Sequence, residues 1–335
     1  IRQEINGEYS CNIEIALSDK LAEYFDIDAI VYLPDANDTV QQFRLERPER
    51  TLETLTAFGW HITQDLAHDI IVHKKYTNAE GSTVWADLLQ SGISETRFSG
   101  TADSSDINSL TIVRQSILNA LIGNQDNSYL SRWGGEIERN NFIVNMKTQL
   151  GENRGYRIAY KKNLTGIHVT VDNSTVINRI VPTYLNENDA ATLLPEIYID
   201  SAHISDTAVP HTAAIHFGDI RIGEEIDGVV LYPDAASAEA EVRARVADLY
   251  ASGVDVAMLT VDIQFVQLRN TIEYSDYAAL ETVRLGDTIG AEYENYSWTS
   301  RVVAYDWDAV LQRYNKLTIG NVRPSASDMN DSIVD

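Results

Sequence analysis

Alternation of apolar and polar side chains with a period of two is the feature that most constrains the fold of this chain. Over residues 9–15, tyrosine, cysteine and isoleucine occupy the odd positions, and serine, asparagine and glutamate occupy the even ones. A second alternating stretch covers residues 142–150, with Ile143 and Thr148 as exceptions, and a third covers 156–161. Successive side chains of a β-strand point to opposite faces, so this pattern predicts half-buried strands and a mostly-β protein.

The second and third stretches are separated by a segment with a glycine at each end, Gly151–Gly155. Two alternating runs joined by a glycine-containing turn are typical of a β-hairpin, and we predict one here with one apolar and one wet face. The wet face would be basic, because it carries Arg154, Arg157, Lys161 and Lys162. Two interpretations of this face stay open: a surface for acidic neighbours, or an ordinary solvated sheet face.

Helical periodicity is confined to a few segments. The clearest helix is predicted over 237–253, beginning at the N-cap Ser237 and ending at Gly253. Its predicted buried stripe consists of Val242, Val246, Leu249 and Tyr250. Shorter helical pieces are predicted over 63–71, 83–92 and, with Val113, Ile117 and Leu121 at helical spacing, 109–123.

The chain is strongly acidic, with 50 Asp and Glu against 26 Lys and Arg and a formal net charge of −24. Nucleic-acid affinity depends on cations that neutralise phosphates, so this charge argues against general nucleic-acid binding. Cys11 is the single cysteine, which excludes an intrachain disulfide and predicts a buried small hydrophobe. No run approaches the ~20 apolar residues of a membrane helix. The first residues show no export signal, and we expect no membrane contact.

Side chains that could carry chemistry do not form a recognisable motif. The histidines lack the H-E-x-x-H spacing of a zinc helix, and the best remaining cluster, His211 and His216 near Asp219, is interpreted as strand-end or surface residues. The carboxylates of residues 223–228 lack the order of a calcium loop and predict a solvated acidic loop. Nucleophile elbows, phosphate loops and dinucleotide-binding turns are absent from the sequence. We therefore assign no catalytic, cofactor-binding or metal-binding residue, and no cofactor.

Residues 132–182 resemble the central block of the phage tail-hub family, also called prophage endopeptidase tail or tail-associated lysin. Four family motifs occur in order in this sequence. They are W-G-G-E-[IL]-x-R-[ND]-N-[FY] at Trp133–Phe142, G-x-x-R-G at Gly151–Gly155, Y-x-K-N-L-x-G-[IV] at Tyr160–Ile167 and R-[IV]-x-P at Arg179–Pro182. Six further segments resemble the family: 4–10, 104–107, 119–130, 198–201, 282–289 and 316–321. The resemblance thus covers nearly the whole chain.

The resemblance implies a mostly-β fold with α/β inserts, in which two β-barrel-like domains each contain an inserted smaller domain. It also implies a homotrimer whose six barrels form a ring beneath the hexameric distal tail protein. The domain ranges predicted on this basis are 1–95 for the first barrel-like domain, 96–160 for its inserted α/β domain, 161–322 for the second barrel-like domain with a helical insert around 233–275, and 323–335 for a C-terminal linker.

The predicted function is that of a structural subunit of a phage or prophage tail tip, assembled in the bacterial cytoplasm and located in the virion. Its expected partners are two further copies, the distal tail protein and a tape-measure protein, with DNA passing through an acidic channel without specific binding. We predict no enzymatic activity in this chain. Two alternatives stay open: a tail-associated cell-wall hydrolase that uses a carboxylate pair, and a receptor- or sugar-binding module.

Overall fold

A computed structural model describes most of the chain, and the described part is mostly β. It covers residues 1–123, 127–159, 164–223, 225–226, 229–230, 232–265, 283–293 and 296–320. Lys161 and Lys162 of the predicted basic face, the predicted linker 323–335 and the end of the predicted helical insert, 266–275, lie outside the described residues.

The strands alternate in burial as the sequence pattern requires. Strand β5 is the clearest case, because Leu55, Ala57, Gly59 and His61 are buried and the residues between them are not. In chain order the described strands are β1 (Arg2–Glu4), β2 (Tyr9–Ala16), β3 (Ile30–Pro34), β4 (Val40–Arg50), β5 (Thr54–His61), β6 (Ile70–Glu80), β7 (Ile107–Ser116), β8 (Glu136–Asn140), β9 (Ile143–Lys147), β10 (Asn153–Ala159), β11 (Leu164–Asp172), β12 (Arg179–Leu185), β13 (Ala191–Leu193), β14 (Ile199–Asp200), β15 (Thr212–Arg221), β16 (Glu225–Ile226), β17 (Val229–Val230), β18 (Met258–Phe265), β19 (Thr288–Tyr293), β20 (Tyr296–Asp308) and β21 (Arg313–Gly320).

The helices are few and mostly short. They are α1 (Gly81–Leu89), α2 (Ile117–Ile122), α3 (Tyr129–Trp133) and α4 (Ala235–Ala251), with 3-10 turns at Lys20–Tyr24, Ile62–Ala67 and Ile204–Asp206. None of the helices in the described residues has the length and apolar character needed to span a bilayer.

The largest sheet has 11 strands, with the main order β11-β18-β21-β20-β1-β2-β5-β4-β3 and with β10 and β19 attached through β20. Strands β12 to β15 form a second sheet, and β6-β7, β8-β9 and β16-β17 form two-stranded sheets. In the part of the chain that the structure describes, none of these sheets closes into a barrel. The mostly-β prediction is confirmed.

The chain forms two compact units. Unit 1 comprises the described residues of Ile1–Gly123, Asn127–Val169 and Thr260–Val322, and unit 2 comprises those of Thr170–Leu259. The four domain ranges predicted from the sequence stay a prediction.

Unit 1 contains a core of helices α1 to α3 packed on strands β7 and β9. Trp85, Tyr129 and Val144 are fully buried in it, and the rings of Trp85 and Tyr129 meet edge to face at 4.9 Å. The Trp85 indole N–H donates to the Val144 carbonyl oxygen at 2.8 Å, which satisfies both buried groups. The helix predicted over 83–92 is confirmed as α1.

Unit 2 packs helix α4 on the sheet β12-β15. The fully buried Val242 and Val246 contact a cluster that includes Ile180 and Tyr184 of β12, and Leu249 and Tyr250 are partly buried beside it. The predicted stripe of α4 is confirmed. The predicted N-cap is wrong, because the cap is Asp234, whose side chain accepts from the Ser237 N–H at 2.9 Å while Ser237 returns a bond to the Asp234 backbone. Ser237 is the third residue of this capping box rather than the cap itself.

The hairpin predicted across Gly151–Gly155 is wrong. Strand β9 pairs with β8 on one edge, and residues 99–103 form backbone hydrogen bonds along its other edge. Both edges of β9 are therefore occupied, and β10 instead pairs in parallel with β19. The turn that the pattern did not reveal lies at Asn141, whose φ of 50° is in the left-handed region that asparagine tolerates.

The helix predicted over 109–123 is wrong in its first half. Residues Ile107–Ser116 form β7, paired with β6, and only Ile117–Ile122 form a helix, with Ser116 as its N-cap. The β-branched run at 111–113 favours the strand, and Val113 is exposed rather than buried. The helix predicted over 63–71 is also shorter than expected, because a 3-10 turn ends at Ala67 and β6 begins at Ile70.

Truncation of α4 at its buried face should destabilise unit 2. We expect Val246→Ala to lower the free energy of unfolding by about 2 kcal/mol, because a fully buried side chain leaves a cavity. Asp248→Ala on the exposed face of the same helix is the control and should change stability by no more than about 0.5 kcal/mol. Urea unfolding followed by circular dichroism measures both values, and equal losses would contradict this packing.

Candidate functional site

Several of the sequence segments that carry the family resemblance meet in unit 1, although they are far apart in the chain. The segment Trp133–Phe142 contacts the turn at Asn6 and the residue before Gly151, and its Glu136 pairs with Arg301, which in turn donates to Gly286. These contacts surround a polar cleft, which we consider as the candidate site.

Asn6 joins the first turn of the chain to the start of β8. The Nδ2 group of its side chain donates to the Gly135 carbonyl oxygen at 2.8 Å, and the Oδ1 atom of the same side chain accepts from the Ile137 N–H at 2.8 Å. Asn6 has a φ of 53° and Gly135 a φ of 109°, so the two backbones meet through residues suited to left-handed conformations. The two bonds fix the turn between β1 and β2 against β8.

Glu136 and Arg301 form a bidentate ion pair between β8 and β20. The two guanidinium–carboxylate distances are 2.6 and 2.7 Å, and Glu136 is buried. The remaining donors and acceptors are also occupied: Arg301 donates to the carbonyl oxygens of Leu150 and Gly286, and Glu136 accepts from the Leu150 N–H. A buried ion pair is stable only with such complete hydrogen bonding, so this pair fixes both backbones it contacts.

Two glycines allow these backbones to cross at close range. Gly151 and Gly286 have φ values of 71° and 85°. A Cβ atom on Gly151 would lie 2.1 Å from the Gly286 carbonyl carbon, and one on Gly286 would lie 2.6 Å from the Leu150 carbonyl carbon. Next to the crossing, the buried Asp287 carboxylate accepts from the Glu152 and Arg284 N–H groups at 2.8 and 2.9 Å.

The cleft beside this crossing has a volume of about 690 Å³ and lies within unit 1. Strands β8 and β9 and the turn between β3 and β4 contribute to its lining. Its charged lining residues are Arg139, Lys147, Arg154 and Arg284 against Asp35, Glu138 and Glu152. Cations therefore outnumber carboxylates here, in a chain whose net charge is −24.

Arg139 is the least expected member of the cleft. It is 9% exposed, and its Nη2 donates to the Gly7 carbonyl oxygen at 2.8 Å, but its Nε has no hydrogen-bond partner. Among the described residues, no carboxylate forms an ion pair with it. Burial lowers the pKa of the Arg139 guanidinium to about 10, against a smaller opposite effect of Tyr9, so the group stays charged at neutral pH.

A hydrogen-bonded network lies behind the cleft. The Asp35 carboxylate accepts from the Asn37 and Thr39 N–H groups and from the Gln41 amide. The Gln41 amide oxygen contacts His61 Nε2 at 3.1 Å, and the His61 ring stacks on Tyr9 with centroids 4.2 Å apart. Burial first, and then the charge of Arg139, hold the pKa of His61 well below its usual range, so the ring is neutral at neutral pH.

Searches by sequence alone found no matching family model and no matching curated protein. Solved structures do match. The 43 kDa tail protein of prophage MuSo2 from Shewanella oneidensis has a TM-score of 0.58 at 10% identity, covering 98% of this chain and 94% of that one. The prophage tail protein gp18 from Listeria monocytogenes has a TM-score of 0.56 at 14% identity, covering 98% and 89%. A tail protein from Neisseria meningitidis has a TM-score of 0.56 at 8% identity, covering 98% and 94%.

The chain has the fold of phage tail proteins. At these identities the likeness concerns the fold, and it confirms at that level the resemblance drawn from the sequence segments. In this tail-protein fold, the quoted segments Trp133–Phe142, Gly151–Gly155 and 282–289 contribute to the crossing and to the wall of the cleft. Sequence reasoning missed the roles of Glu136, Arg139 and Arg301, although the glycine pairs near them were a signal of close backbone approach.

The sequence-predicted metal candidates do not come together. The Nδ1 atom of His211 contacts the Val176 carbonyl oxygen, and that of His216 contacts the Thr183 hydroxyl. Asp219 pairs with Arg245. Across the described ranges, no three His, Cys, Asp or Glu side chains are placed to hold a metal ion. Cys11 is buried as predicted, and burial raises the pKa of its thiol to about 12.

The structure describes two of the four basic side chains of the predicted wet face, Arg154 and Arg157. Arg154 lies 3.5 Å from Asp287 and 3.8 Å from Glu152, and thus contributes to the wall of the cleft. Arg157 is exposed on β10, which pairs with β19 at this position. Arg154 therefore has acidic neighbours within its own chain.

The two glycines of the Gly151–Gly155 segment should respond differently to alanine. Gly151→Ala adds a Cβ into the Gly286 backbone and a left-handed strain, so we expect it to cost more than about 2 kcal/mol of stability. Gly155→Ala is the matched control, because its φ is 73° but its Cβ would meet nothing within 4 Å. It should cost about 1 kcal/mol. Thermal or urea unfolding measures the difference, and equal costs would contradict the close crossing.

The free energy of unfolding should decrease as the pH is lowered through the range in which histidine titrates, because of His61. Its folded-state pKa is lowered, so the unfolded chain takes up a proton first below a pH of about 6.5. We expect a loss of roughly 1 kcal/mol between about pH 7.5 and 5.5. His61→Gln should flatten this dependence, and His73→Gln on the exposed strand position should not. Urea midpoints at both pH values test the effect, and an unchanged slope in His61→Gln would refute it.

Proposed function

We propose that this protein is a structural subunit of the tail tip of a phage or prophage. The observation that carries the proposal is the tail-protein fold, which extends over 98% of this chain and 89–94% of the solved tail proteins. In the finer form of the proposal, three copies form a ring of barrel-like domains that closes the tail tube. The ring connects the distal tail protein hexamer, and a tape-measure protein, to downstream host-contacting or lytic modules.

Strand edges that have no partner among the described residues support assembly with other chains. Strands β3 and β11 are the two ends of the main strand order of the largest sheet. Tyr32 on β3 is 64% exposed, and Val169 and Val171 on β11 are 41% and 67% exposed. Exposed edges with apolar side chains favour pairing with another strand, and a ring of subunits provides that pairing.

The net charge supports a passive role towards DNA. A wall rich in Asp and Glu repels phosphates over about a Debye length, ~8 Å at physiological salt. An acidic ring of this protein, at −24 for each chain, would let DNA pass without binding it. The proposed location is therefore the virion tail tip, after assembly in the bacterial cytoplasm.

The carboxylates that unit 1 buries support a structural role over the hydrolase alternative. Glu136 is paired with Arg301, and Asp287 and Asp35 accept backbone N–H groups. Each carboxylate thus stabilises backbone geometry. Incubation with purified cell walls tests the alternative directly, and cleavage that is lost on a single Asp or Glu substitution would favour the enzyme.

Charges on the edge of β11 should prevent ring formation. We expect electron microscopy of the purified protein with the distal tail protein of the same phage to show a ring with a central hole. Val169→Lys with Val171→Lys should abolish it, because lysines on an edge oppose strand pairing. Val310→Lys with Leu311→Lys, at an exposed turn, is the matched control and should leave it intact. Monomers in every wild-type sample would contradict the proposed function.

A further inference from the structure

The cleft of unit 1 contains a buried cation, Arg139, that has no counter-ion among the described residues. Arg139 is 9% exposed, lines the cleft and leaves its Nε without a hydrogen-bond partner. Buried charges are normally paired, because removing an ion from water costs several kcal/mol that a partner must offset. In unit 1 itself, the nearby carboxylate of Asp35 is occupied by backbone and amide donors instead.

Two more cations of the cleft lack an ion pair. Lys147 and Arg284 line it together with Arg139, and within the described residues neither forms a salt bridge. The other cations that contact carboxylates in unit 1, such as Arg44 with Asp65, show that this acidic chain can supply partners where the fold needs them. The lining of the cleft thus has four cations against three carboxylates, and three of the cations form no ion pair among the described residues.

Two exposed apolar side chains, Ile143 and Val40, lie in the cleft lining or next to it in the chain. Ile143 lines the cleft and is 49% exposed. Val40 follows the lining residue Thr39, is 52% exposed, and its carbonyl oxygen accepts from the Asn141 amide. Protein interfaces commonly place an arginine among exposed apolar side chains, whereas sites for free anions need no such rim.

We propose that this cleft binds a carboxylate-bearing segment of a second copy of this chain. The guanidinium of Arg139 would pair with the incoming Asp or Glu side chain, and Lys147 and Arg284 would contact it from the cleft wall. A carboxylate matches the planar donor edge of an arginine, and this chain presents 50 Asp and Glu side chains. The inference rests on the proposed function, since it assigns one contact between the subunits of the ring.

A second copy fits this cleft better than a nucleic acid does. A phosphate backbone is a row of anions that would meet Asp35, Glu138 and Glu152 in the same lining, on a chain whose net charge is −24, whereas a single carboxylate can pair with Arg139 alone. Copies of an acidic chain repel each other, and three cations without an ion pair among the described residues can offset this repulsion locally. The cleft therefore provides the local attraction between like-charged copies.

Crosslinking of Lys147 tests the contact. A carbodiimide joins a lysine to a carboxylate only when the two groups touch, and a mixture of isotope-labelled and unlabelled protein separates links between chains from links within one. We expect Lys147 to form amide links to an Asp or Glu of another chain in the assembled protein. Lys75, an exposed lysine of β6, is the control and should form no link to another chain. Links from Lys147 only within its own chain, or none at all, would overturn the proposal.

Removal of the two accessible cations gives a second test. Lys147→Gln with Arg284→Gln should weaken self-association on the order of tenfold in sedimentation measurements and reduce its salt dependence. Lys75→Gln with Arg313→Gln changes the charge equally at exposed positions outside the cleft and should associate like the wild type. Circular dichroism confirms that both proteins fold.

If the cleft variant associates as strongly as the wild type, this inference is overturned and the tail-tip function still stands. A wild-type protein that stays monomeric with and without the distal tail protein overturns both.

Discussion

The ion pair of Glu136 with Arg301 is the interaction on which unit 1 depends. It joins β8 to β20, and the same two side chains hold the backbones of Leu150 and Gly286. A buried pair contributes little by itself, because desolvation offsets most of its attraction. Its value here is geometric. By fixing both backbones it makes the glycine crossing at Gly151 and Gly286 a single defined arrangement, and the cleft takes its shape from that crossing.

The cleft shows how an acidic chain can still form a cationic site. The buried carboxylates near it each accept backbone or side-chain donors, and among the described residues Arg139, Lys147 and Arg284 form no ion pair. The distribution of hydrogen bonds, rather than the number of cations, produces the positive local charge. Net charge computed from a sequence therefore describes solubility and long-range repulsion, and says little about a single cleft.

The sequence correctly predicted features that depend on neighbouring residues. It did not predict which strand pairs with which. The alternation in β5 and the buried stripe of α4 followed directly from residue spacing. The hairpin after β9 was predicted wrongly, because residues 99–103 occupy the edge that β10 would need, and nothing in the two strands reveals this. The buried Arg139 was equally hidden. A single arginine in an alternating strand looks solvated until distant segments cover it.

The pairing of β1 with β20 sets the order in which the protein can fold during synthesis. Arg2 lies opposite Asp306, so β1 must wait for a partner strand that is synthesised long after it. Loop closure over such a distance is slow, and domains generally fold as units while the chain emerges. The described residues of 170–259 are complete before β20 exists. Unit 2 can therefore fold first, while β1 in unit 1 lacks this partner strand until β20 has been synthesised.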